Sequence, residues 1–222
     1  MKKTIGIFTS LIIIFSLIAA IAVRNSFFKY SLLSNDMTLD KLQTVKILMD
    51  AYGAKDDWDG DLLKEFVEEQ LLCAKEAACV VKVKPTNHVY INDSILMQEA
   101  KVTACVKGNC KDRLIWIASE GATITEDKYG NFILHQLDYS LMQNDCEYLA
   151  FITPLGSNAY SDKKVYFADE NLWFSYFNLT RDSAQIMKDK YYHSDIEFYA
   201  QTKDILTSFQ LAKDRIRKFY HQ

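Results

Sequence analysis

The chain is short of the residues that interrupt or loosen a fold. It has two prolines and seven glycines in 222 residues, which excludes a collagenous, low-complexity or linker-rich protein. It has no glycine-rich phosphate loop and no G-x-S-x-G turn, so two of the more specific catalytic signatures are missing. Its four histidines, His88, His135, His193 and His221, stand at no spacing that would join two of them on one metal. Positive charge is also scarce: 26 Lys and Arg oppose 29 Asp and Glu, for a net charge of −3. No basic stretch is left to steer a polyanion, so no nucleic-acid partner is expected. No cofactor or metal is expected either.

What the chain does have is an unbroken apolar run from Ile5 to Val23, preceded by Lys2 and Lys3 and closed by Arg24. Nineteen uncharged residues at a 1.5 Å rise are about enough to cross a bilayer as a helix. The two lysines favour a cytoplasmic N-terminus. The run therefore predicts a signal-anchor: residues 1–24 as cytoplasmic tip and single transmembrane helix, 25–37 as a membrane-proximal linker, and 38–222 as one extracytoplasmic domain, periplasmic or extracellular. Ala20-Ile21-Ala22 offers a cleavage site, and cleavage after Ala22 stays open. All 29 acids but only 24 of the 26 basic residues follow Val23, which leaves the exported part at −5.

In an oxidising compartment the five cysteines read as two local disulfides and one odd thiol. Proximity pairs Cys73 with Cys79 and Cys105 with Cys110, and leaves Cys146 over.

Along the domain, apolar residues near helical spacing predict a helix over 38–51. A second follows through Leu62, Leu63, Phe66, Val67, Gln70, Leu71 and Ala74. From Cys79 the pattern alternates, and hairpins are expected around Lys107-Gly108-Asn109, Asp127-Lys128-Tyr129-Gly130 and Asp169-Glu170-Asn171. A short helix from Asp182 to Tyr191 precedes a final one. Ser194 and Glu197 form a capping box for that last helix, and Ile196, Tyr199, Leu206, Phe209, Ile216 and Tyr220 give it one apolar stripe. Lys213 falls on its other side. Helices, then strands, then helices predict an α+β fold, with an antiparallel sheet flanked by N-terminal and C-terminal helices.

Three constellations invite chemistry. Asp57, Asp59 and Asp61 lie in a loop before the second helix, but Lys55 and Phe66 stand where a calcium loop needs its first and last oxygen ligands. A helix cap from Asp59 or Asp61 is the simpler expectation. Cys146, His135 and Asp138 offer the parts of a nucleophile site without any local motif. Trp173, Phe174 and Tyr176 lie on a strand whose alternate faces are core and, if one is bare, a contact surface for a protein partner.

The basic start, Gly6 and the apolar Leu17–Ala22 stretch resemble type IV pilin-like subunits. That family places Glu five residues after its processed glycine, where this chain has Leu11, so nothing further is carried over. The leading expectation is a membrane-anchored, non-catalytic binding protein of the cell envelope: an inhibitor, an immunity-type protein or a complex subunit. An extracytoplasmic hydrolase is the alternative, and a pilin-like structural subunit the second. A cavity where two of Asp, Glu, His or Cys146 converge with displaced pKa favours hydrolysis. A bare aromatic face favours binding.

Overall fold

A computed structural model describes residues 58–92, 95–120, 122–126, 132–136, 141–155, 163–186, 191–192 and 196–220, with the short pieces 46–49, Thr38 and Ser16. The chain divides into two compact units, Met1–Asp36 and Met37–Gln222.

The second unit is built around a closed barrel. Five strands make it: β2 (Cys79–Asn92), β3 (Ile95–Lys107), β4 (Leu114–Glu120), β7 (Tyr148–Pro154) and β8 (Val165–Ala168). Their order is β2-β3-β4-β8-β7, and β7 pairs back onto β2 through Val80↔Phe151 and Val83↔Tyr148. All contacts are antiparallel except β4–β8, which is parallel. A sixth strand, β9 (Tyr176–Asn178), adds to the other edge of β7. Five-stranded Greek-key barrels of this kind include the OB-fold, but architecture alone fixes no activity.

Alternation decides which side chains fill it. Val81, Val83, Ile115, Ile117, Ala150, Ile152 and Tyr176 point into the barrel, together with Met142 and Cys146. Val80, Leu149, Phe151 and Phe177, one residue out of phase, point outward. The outward set is covered by two helices, α1 (Gly60–Glu76) and α2 (Lys203–Tyr220). Leu63, Phe66 and Val67 of α1 and Ile205, Phe209 and Ile216 of α2 close this second core. Both faces of β7 are therefore dry, as its pattern of five consecutive buried residues shows.

Local chemistry sets the helix ends. Asp59 is the N-cap of α1, accepting from the Asp61 and Leu62 amides at 3.0 Å each. Asp59→Ala should therefore cost about 1 kcal/mol, read from thermal melts, with Asp61→Ala costing less. The β3–β4 turn needs Gly108: its φ is +82°, and a Cβ there would lie 2.5 Å from the Ala78 carbonyl.

Several expectations are corrected. The sheet is not an open antiparallel one but closes on itself, because β2 is long enough to pair β3 along its length and β7 at its start. Within the predicted helix 38–51, Lys46–Met49 is instead strand β1, parallel to β6 (Phe132–Gln136) and antiparallel to β11 (Tyr191–Tyr192). A short apolar run does not distinguish strand from helix by itself, and an available sheet edge decided it. β6 also pairs with β5 (Ala122–Glu126), the hairpin expected there. Ala184–Ile186 within the predicted helix 182–191 is strand β10, parallel to β12 (Phe198–Ala200). The last helix starts at Lys203, where the Thr202 hydroxyl accepts from the Ile205 amide at 3.3 Å; Glu197 is not its cap.

The transmembrane anchor is not supported. Among the described residues no helix is long and apolar enough to cross a membrane, and 5–23, apart from Ser16, lies outside them. The single-pass, N-in placement that rests on such a helix is likewise not supported. The disulfides are corrected too: Cys73, Cys79, Cys105, Cys110 and Cys146 are all free thiols. Cys73 packs in the helix-covered core and Cys79 in the barrel interior, on opposite faces of the same wall.

Candidate functional site

Three places in this unit gather reactive or adhesive groups. The first lies where β12 and the chain leaving β9 meet α2. Lys213, 3% exposed, sends its ammonium to Glu197 Oε2 at 2.6 Å and to Asp182 Oδ1 at 2.7 Å. The Asn178 amide donates to Glu197 Oε1 at 2.6 Å. Asn178 in turn donates through Nδ2 to the Tyr148 hydroxyl, and its own Oδ1 accepts from the Thr180 and Arg181 amides. Arg217 adds a longer contact to Asp182 at 3.2 Å. A cavity of about 260 Å³ opens beside this cluster, lined by Asp182, Ser183, Glu197, Gln210, Lys213 and Asp214.

The two carboxylates are displaced in opposite directions. Burial raises Glu197 from 4.5 to about 7, against the pull of Lys213. The hydrogen bond from Lys213 lowers Asp182, which is largely exposed. Converging carboxyls displaced in this way favour hydrolysis. Yet the ammonium between them binds both, and the Asn178 amide holds the second Glu197 oxygen. Such an arrangement ties α2 to β12 and to the turn after β9.

Its pH dependence follows from the raised carboxyl. Between about pH 4.5 and 7 folded Glu197 keeps a proton that the unfolded chain has released. Stability from this group is complete below that window and falls as pH rises through it. Urea melts at either end of the window should show the drop. Glu197→Gln, which does not titrate, should flatten it; an unchanged slope would place the titration elsewhere.

The second place is the turn between β3 and β4. Cys79, Cys105 and Cys110 gather there, with the Cys110 amide donating to Cys105 Sγ at 3.5 Å. Burial, then the neighbouring Cys110 and Cys105, push the Cys79 thiol up to about 11. Tyr166 donates to Asp112 at 2.9 Å and lies 3.7 Å from Cys110 Sγ; burial and that hydrogen bond raise its hydroxyl pKa. The Cys79 thiol is therefore protonated and a poor nucleophile. Cys146 is wholly buried in the barrel. Asp138 and the His135 side chain lie outside the described residues, as do Asp56 and Asp57.

The third place is the outer face of the helix pair. α1 and α2 run side by side in the same direction, as the Arg215–Glu68 ion pair, Lys75 over the Phe219 ring and the Tyr220–Ala74 hydrogen bond show. A groove of about 280 Å³ separates their outer halves, lined by Leu63, Val67, Leu211, Lys64, Asp204 and Arg215 among others. Leu62, Leu72, Leu211 and Phe219 are 43–54% exposed on these helices.

The aromatic candidates sit elsewhere. Phe174 (3% exposed) lies in the helix-covered core and Tyr176 (6%) in the barrel interior. Trp173 is partly buried, edge-on to Trp58 and Phe66. Its amide donates to Gln70 Oε1 at 2.7 Å. The structure thus gathers an ion-pair cavity and a helix face that strand alternation did not point to. The helix face had a signal at Leu72, which falls outside the apolar stripe of α1.

No protein-family model and no curated protein matches this chain.

Proposed function

We propose that this protein works by binding another protein chain, as an accessory subunit or an inhibitor-type occupant, and that α1 and α2 supply the contact. The carrying observation is the helix-pair face. Four large apolar side chains stand half-exposed there, beside an apolar-floored groove with charged rims. Clustered exposed apolar groups with a polar rim suit protein docking. A photo-crosslinking residue placed at Leu72 or Leu211 of the full chain, in the cells that make it, should yield discrete protein adducts. The same residue at Leu114, exposed on the barrel, is the control. Equal yields at all three positions would defeat this reading.

A second reading, hydrolysis, is supported by the opposed shifts of Asp182 and Glu197 beside one cavity. Lys213, bound to both, weighs against it, because neither carboxyl is left to a substrate alone. A turnover abolished by both Asp182→Asn and Glu197→Gln in folded protein would favour it.

A further inference from the structure

Resting on the binding reading, we propose that the occupant of the helix-pair face is a second copy of this chain. The two helices carry complementary charge. α1 holds five acids against two lysines. Glu65, Glu69, Leu72 and Glu76 recur at four-, three- and four-residue steps, so one outward face presents three carboxylates around an exposed leucine. None of the three makes an ion pair with a described residue. On α2, Leu211, Arg215 and Lys218 recur at the same steps, with Phe219 alongside and one acid, Asp214, among them, so its outward face carries a net positive charge around two exposed apolar groups. Lys218 likewise makes no ion pair with a described residue.

An interface between identical copies must be complementary to itself under a twofold rotation. This one is. Because α1 and α2 run in the same direction, a twofold axis along and between them lays α1 of each copy over α2 of the other. Glu68 and Arg215 lie level, as do Lys75 and Phe219. The rotation therefore sets Glu69 and Glu76 of one copy near Arg215 and Lys218 of its mate, and Leu72 near the mate's Phe219. The acid-on-base contact is made twice, and Leu72, Leu211 and Phe219 of both copies leave water together. A partner of like acidity would face repulsion on α1, and a uniformly basic one would face repulsion on α2.

Sedimentation of the full chain over a range of concentrations tests this. The wild type should form a dimer that weakens as salt rises. Glu76→Lys and Lys218→Glu should each weaken it about tenfold, and the two together should restore it, because the swap rebuilds the pair with its signs exchanged. Restoration separates a contact across copies from damage to the fold, since each residue is exposed. A double variant as weak as the singles would overturn the proposal. A wild type that stays monomeric would also overturn it. If that monomer still gives adducts to another protein at Leu72 and Leu211, binding stands and only self-pairing fails; with no adducts, both fail.

Discussion

Phe209→Ala should destabilise the protein by about 3–5 kcal/mol, a large part of the roughly 5–15 kcal/mol that holds a typical domain together. Phe209 is 2% exposed. Its ring lies 4.9 Å from Phe174, 5.3 Å from Phe66 and 6.2 Å from Trp173, so it joins α2 to α1 and to the segment before β9. Truncation leaves a void walled by stiff rings, which relax poorly into it. Urea unfolding followed by circular dichroism measures the loss. Lys203→Ala, on the exposed side of the same helix, should stay within about 0.5 kcal/mol. If Phe209→Ala melts like wild type, α2 is not docked as described.

Lys213→Ala should cost a comparable 3–5 kcal/mol above pH 7, where Glu197 is ionised. The apolar stripe read from the sequence put Lys213 on the far side of the last helix, where its loss would matter little; the structure reverses that. Its ammonium is buried and is the only side-chain cation bonded to Glu197 among the described residues. Removing it leaves a carboxylate, 8% exposed, without its countercharge. Protonation then relieves the site, so the cost should shrink in acid and grow as pH rises past 7. Guanidinium melts of wild type and variant across that range provide the measurement. Replacing both partners, as Lys213→Met with Glu197→Leu, should recover much of the loss, since neither charge is then stranded. A pH-independent cost would mean that Lys213 acts by packing its stem rather than by its charge.

Much of the local structure was legible. Helix α1 shows in the spacing of Leu63, Phe66, Val67, Gln70 and Ala74, and Asp59 was one of two candidate caps. Alternation from Cys79 marked β2, and the Gly108 turn marked the end of β3. The errors share a cause. Lys46–Met49 and Ala184–Ile186 are too short for periodicity to decide, and neighbouring strands decided for them. Glu197 sits in a motif that caps helices, yet its carboxylate found a stronger partner in Lys213, sixteen residues on. Cys73 and Cys79 are close in sequence, yet one packs under the helices and the other inside the barrel.

By itself the sequence determined the balance of charge, the amphipathic stripes of both helices, the phase of the long strands and the β3–β4 and β5–β6 turns, because these depend on neighbours within a few residues; the hairpin expected at 169–171 does not form, since β8 and β9 both pair with β7. Only the tertiary structure decided that the sheet closes into a barrel, that both faces of β7 are buried, and that Lys213 lies inside. Those outcomes depend on contacts between segments far apart in the chain: β2 with β7, β4 with β8, and α2 with the turn after β9. Their energy comes from excluding water between surfaces that no local pattern brings together.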